Sequence, residues 1–68
     1  MQLTAVLTPA EEGGYVAFNP ETGTTTQGES VAEAVENLRE ATELFLEEFP
    51  QRRSLGPALM TTFELSHA

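Results

Sequence analysis

The feature that most constrains this chain is a helix written between Ser30 and Pro50. Ser30 followed by Glu33 is a capping box: the serine oxygen is expected to accept from the Glu33 amide, and the glutamate to reach back to the Ser30 amide. Glu29 and Glu33 also suit the positive end of the helix dipole. No Gly or Pro follows until Pro50, which stops the helix. In between, Val31, Ala34, Val35, Leu38, Thr42, Phe45 and Phe49 recur at 3.6-residue spacing and form one apolar stripe. Glu33, Glu36, Glu40, Glu43 and Glu47 fall on the opposite side. The helix spans about 27 Å. With one apolar stripe it needs one layer to cover it, and the rest of the chain must supply that layer.

The remaining segments read as short strands. In Gln2–Thr8, Leu3, Ala5 and Leu7 share one face and Val6 lies on the other. Pro9–Gly14 is a turn, and Tyr15–Phe18 is an aromatic and β-branched second strand. Asn19-Pro20-Glu21-Thr22-Gly23 is a second turn, and Thr24–Gln27 a polar third strand suited to an edge. After the helix, Gln51–Pro57 reads as a linker carrying Arg52 and Arg53. Ala58–Leu65 reads as a last strand, with Leu59, Thr61, Phe63 and Leu65 on one face and Ala58, Met60, Thr62 and Glu64 on the other. The fold class is therefore α+β, one domain over residues 1–68 in the order β-β-β-α-β. A helix between two strands of one sheet favours a parallel crossover, so the last strand is expected beside the first in a mixed four-stranded sheet. The helix covers one sheet face. The other carries apolar surface from Val6, from Val16 or Tyr15, and from Met60, which marks it as an oligomer or partner surface.

Charge narrows the partners. The 68 residues hold eleven acidic side chains, all Glu, against three Arg, for a formal net charge of −8. Binding a nucleic-acid backbone needs clustered Lys and Arg, so neither direct nucleic-acid binding nor attachment to an anionic membrane is expected. A basic protein is the partner such a field attracts. There is no cysteine and no apolar run long enough for a membrane span or a signal-peptide core, which places the chain in the cytoplasm.

Catalytic parts are missing. The one histidine, His67, stands next to the end of the sequence given. One His and no Cys do not make a zinc or iron site. Two-metal nuclease chemistry needs converging carboxylates, and only Glu33 and Glu64 are placed for it; we read them as a cap and a solvent-facing residue. Gly23 and Gly28 have the glycine spacing of a phosphate loop, but Glu29 stands where its lysine belongs. Tyr15, Phe18 and Phe63 lack the basic neighbours of a base-stacking platform and read as core. No catalytic residue, metal or cofactor is expected.

From Tyr15-Val16-Ala17 through Gly23 to Gln27-Gly28-Glu29-Ser30-Val31-Ala32-Glu33-Ala34, and on through Val35–Ala41, the chain resembles the HicB-like antitoxin family. The likeness covers residues 2–49, and the last strand fits it. It implies a partial ribonuclease H-like fold without nuclease activity. It also implies a non-catalytic role in a toxin–antitoxin system: neutralising a small basic HicA-like toxin that cleaves mRNA. Many members add a C-terminal DNA-binding domain, which this sequence does not contain. On physical grounds the partner-binding candidates are Glu36, Glu40, Glu43 and Glu47 as an attractive face, with Leu44 as an apolar anchor among carboxylates. Gly28, Ser30 and Glu33 are assigned to structure. The alternative is a self-assembling structural or regulatory domain with no toxin partner, and a homo-oligomer is expected.

Overall fold

The protein was analysed as a computed structural model, which describes residues 2–50 and 57–66. Three strands, β1 (Val6–Pro9), β2 (Tyr15–Asn19) and β3 (Thr24–Gly28), precede one helix, α1 (Val31–Glu48). The sheet is an antiparallel meander in the order β1-β2-β3. The fold is α+β, with three antiparallel strands and one helix.

Register follows from the two-residue alternation. Leu7 opposes Ala17, which opposes Thr26, and this row faces the helix. Val6 opposes Phe18, which opposes Thr25, and that row faces away. The core between the layers is small. Ala17 and Ala34 are fully buried and Leu38 nearly so, with Ala5, Leu7 and Tyr15 packed against them. Truncating Leu38 to Ala would cost about 2–5 kcal/mol, large against the few kcal/mol that hold a domain of this size.

Small residues explain how the helix sits. A Cβ at Gly28 would collide with the backbone of Ala34 and Glu33, so only glycine lets the last residue of β3 pass under the first helical turn. Gly14, at φ +77°, would drive a Cβ into the Gly28 carbonyl, so the β1–β2 turn closes against the same point. The other end of the helix is built from larger groups. Phe45 and Phe49 pack with ring centroids 5.1 Å apart, and the Phe49 amide donates to the Phe45 carbonyl at 2.8 Å.

The cap differs from expectation in one half. Ser30 Oγ does accept from the Glu33 amide at 3.1 Å. Glu33 Oε1, however, accepts from the Glu29 amide at 2.6 Å rather than from Ser30. Ser30 is fully extended at φ −133°, ψ 165°, and the glutamate reaches one residue further to the exposed amide.

Of the expected helical stripe, Ala34, Leu38 and Thr42 are buried, Phe45 is half-buried, and Val31, Val35 and Phe49 are exposed. The helix lies over β3 and β2, so the side of the stripe turned toward β1 is left partly open. Thr42 satisfies its buried hydroxyl by donating to the carbonyls of Leu38 at 2.8 Å and Arg39 at 3.0 Å. The unresolved choice on β2 is settled by register: Val16 lies with Val6 and Phe18 on the outer face, and Tyr15 packs against the core.

Two strand expectations are corrected. The first strand begins at Val6 rather than Gln2, because Thr4 turns its amide to the Glu21 carboxylate at 2.8 Å. Among the described residues a fourth strand is not formed: Pro57–Ser66 has no ladder partner there, its first amide, from Ala58, donates to Glu21 Oε2 at 2.6 Å, and every residue in it is exposed. Glu64 is thus exposed but not on a strand. The expected linker residues 51–56, with Arg52 and Arg53, and His67 lie outside the described residues.

Candidate functional site

The candidate site is the outward face of α1. Positions 36, 40, 43 and 47 fall within about 60° of arc at 100° per residue, so Glu36, Glu40, Glu43 and Glu47 form one stripe along the helix. All four are exposed. Within residues 2–50 the stripe meets a single basic side chain, Arg39. Its guanidinium forks between Glu36, at 2.5 Å, and Glu43, at 3.2 Å. The hydrogen bond from Arg39, and then its charge, hold the Glu36 carboxyl below the usual range and raise the guanidinium in turn. Such exposed pairs at i,i+3 and i,i+4 are worth about 0.2–0.5 kcal/mol each, so they orient the carboxylates without neutralising the stripe.

Leu44 is 64% exposed and stands beside the stripe, displaced toward β3. On that flank Asn37 Nδ2 donates to the Gln27 carbonyl at 2.8 Å and Thr26 Oγ1 to the Ala34 carbonyl at 3.0 Å, closing the helix onto the strand. The five residues singled out in the sequence therefore share the solvent half of one helix, with Leu44 at its margin. The stripe can attract and orient a cationic surface; it offers no converging set of acid, base and nucleophile. Among the described residues no three carboxylate or imidazole side chains come together as a metal site.

Two features escaped sequence reasoning. The first is a groove of about 520 Å³ on the other flank of the helix, between it and the segment before β1. Leu3, Ala5, Val35, Leu38 and Leu46 line it, and Arg39 and Glu43 stand at its rim. The exposure of Val35 follows from the helix lying over β3 and β2 rather than β1, which no local sequence pattern reveals.

The second feature is a polar node at Glu21. Its Oε1 accepts from the Thr4 amide at 2.8 Å and Asn19 Nδ2 at 2.6 Å, and its Oε2 accepts from Thr4 Oγ1 at 2.7 Å and the Ala58 amide at 2.6 Å. The Thr4 hydroxyl and amide, followed by the Ala58 amide, lower its carboxyl from 4.5 to about 2. Asn19, fully buried, also donates to the Thr4 carbonyl and accepts from Thr22. Asn19-Pro20-Glu21-Thr22 reads in sequence as a turn and nothing more, because Thr4 and Ala58, which supply three of the four donors to Glu21, lie 17 and 37 residues away.

Comparison with known proteins adds one relative. The chain is 44% identical over 48 residues to the UPF0150 protein ssl0738 of a Synechocystis species, an alignment covering 69% of this chain and 67% of that protein. No family model matches the chain, and no solved structure matches it.

Proposed function

The chain belongs to the UPF0150 family, and from that premise we propose that it is a non-catalytic, antitoxin-like binding module whose partner is a small basic HicA-like, mRNA-cleaving toxin. The UPF0150 family includes HicB-like antitoxin-type members. The observation that carries the reading is the stripe of Glu36, Glu40, Glu43 and Glu47 on the solvent face of α1, in a chain of net charge −8 and with Arg39 alone paired to it among the described residues. Its likeness to the HicB-like family at Tyr15–Ala41 supports the choice of partner. Such an antitoxin acts by covering the toxin's catalytic surface, so it needs charge complementarity and a rigid face rather than reactive groups. The reading includes a fourth strand completing a partial ribonuclease H-like sheet in the bound form, and a cytoplasmic site of action. No helix among the described residues is long and apolar enough to cross a membrane.

The test is titration of the chain with a purified basic HicA-like toxin, with inhibition of RNA cleavage as a second readout. Affinity is expected to fall steeply as salt rises. Glu40→Gln/Glu43→Gln/Glu47→Gln should weaken it about tenfold or more at low salt, with the fold unchanged because all three side chains are exposed. A complex indifferent to both salt and these substitutions would sink the reading. The second reading, a self-assembling domain without a toxin, is favoured by the outer sheet face, where Phe18 is 39% exposed beside Val6 and Val16.

A further inference from the structure

We infer that the groove between α1 and the segment before β1 is the apolar half of the partner surface: it takes an apolar side chain of a basic protein, whose neighbouring Lys or Arg meets the acidic stripe beside it. The inference rests on the proposed reading that the partner is basic, and adds to it a second contact of a different kind. Groove and stripe adjoin on the helix. At 100° per residue Val35 and Leu46, which line the groove, lie within about 20° of each other. Beyond Leu46, Glu43 lies about 60° further round and Glu36 and Glu47 about 80–100°. Glu43 belongs to both surfaces. The wall of the groove fixes the kind of group that enters. Leu3, Ala5, Leu38 and Leu46 are apolar, and the two buried polar side chains beside them are already satisfied. Thr42 Oγ1 donates to the Leu38 carbonyl at 2.8 Å. Asn19 donates to the Thr4 carbonyl at 2.7 Å and accepts from the Thr22 amide at 2.8 Å. A guest gains inside by burying apolar surface rather than by hydrogen bonding.

The rim fixes the charge of what flanks that guest. Arg39 pairs with both Glu36 and Glu43, yet their side chains stay 55% and 62% exposed, which leaves each carboxylate room for a second cation. With Glu47 beyond, this edge sets three carboxylates against one guanidinium. Charge also chooses among the possible occupants. A second copy brings a net charge of −8 to an edge that is already acidic. The chain's own segment 57–66 starts nearby, where the Ala58 amide meets Glu21. It carries Glu64 and no Lys or Arg, and every residue of it is exposed. Of the three, a basic partner alone satisfies the groove and its edge together.

Two peptides of equal charge test it on the full chain: Lys-Leu-Lys-Leu-Lys and Lys-Ser-Lys-Ser-Lys, titrated at about 0.15 M salt and followed by calorimetry and methyl NMR. The leucine peptide should bind about tenfold or more tightly than the serine peptide. It should also shift the Val35 and Leu46 methyl signals, which the serine peptide leaves in place. Val35→Ser should cut the leucine advantage by about threefold or more, with the fold kept because Val35 is already 37% exposed. Equal affinities for the two peptides, or a leucine advantage undiminished in Val35→Ser, overturns the inference. So does tighter leucine-peptide binding by Leu59→Asp, which would show the chain's own segment filling the groove. A leucine advantage that fades as the chain is concentrated overturns it too, by placing a second copy there. The peptides contain no toxin, so a toxin that fails to bind sinks the proposed function without touching this contrast. A toxin that binds through the stripe and ignores Val35→Ser sinks the groove contact alone.

Discussion

The two flanks of α1 meet the sheet in opposite ways. On the β3 flank Gly28 passes under the helix backbone, Thr26 and Asn37 stitch strand to helix, and Ala34 and Ala17 fill the space between. On the β1 flank Val35 and Leu46 look across an open groove at Leu3 and Ala5. The difference is one of side-chain size and chain order. β3 is joined to the helix by only Glu29 and Ser30, so those two elements must approach closely, and small residues allow it. β1 is remote in sequence, and nothing in the described residues is set to fill the space beside it. The closed flank holds the fold; the open one is a groove exposed to solvent.

The sharpest way to break this comparison is at Gly28. Gly28→Ala sets a methyl against backbone atoms of Glu33 and Ala34, which cannot swing aside as a flexible side chain would. Overpacking of this kind costs about 1–3 kcal/mol, and the rigid neighbours favour the upper end. Chemical denaturation should show the loss as a lower midpoint at unchanged slope. A Gly28→Ala protein as stable as the parent would mean that the closed flank is not what holds helix to sheet.

The legibility of the sequence divides along the same line. The helix bounds, the Ser30 cap and the three-strand meander could be read from Ser30, Glu33, Pro50 and the turn residues, because each is set by neighbours a few positions away. The acidic stripe could be read for the same reason: 3.6-residue periodicity alone places Glu36, Glu40, Glu43 and Glu47 together. The groove could not. It depends on where across the three-stranded sheet the helix settles, over β3 and β2 rather than β1, which no local pattern encodes. The last strand was read from the alternation of Leu59, Phe63 and Leu65, but alternation gives a strand its faces and not its partner, and among the described residues the segment has none. Glu21 was missed because its four donors come from Thr4, Asn19 and Ala58, brought together only by the fold.

Glu21 ties the β2–β3 turn to the segment before β1 and to Ala58, and its effect depends on pH. Its carboxyl falls from 4.5 to about 2 on folding, so it contributes stability that is full above about pH 4.5 and is lost as pH falls toward 2. In Glu21→Gln the Oε1 acceptor survives for Thr4 and Asn19, but an amide nitrogen then faces the Ala58 amide, donor against donor. The variant should be less stable than the parent at pH 7, with a gap that narrows as pH drops from about 4.5 to 2. Thermal melts across that range check it. A gap independent of pH would show that packing, and not the ionised carboxylate, holds the node.

The smallest effect is expected on the open flank, and it sharpens the comparison most. Val35 is 37% exposed and lines the groove. In the free chain Val35→Ser removes little buried surface, and substitutions at such sites usually change stability by less than about 0.5 kcal/mol. If a basic partner fills the groove, the same side chain is covered in the complex, and the substitution weakens association rather than folding. The two cases separate by added ligand. Binding to the folded chain raises its stability by mass action, and by more where the affinity is higher. Melts of parent and Val35→Ser should therefore coincide in the free protein and diverge as the leucine–lysine peptide is added. Coincidence at every peptide concentration would leave the groove empty in solution and make the open flank plain surface.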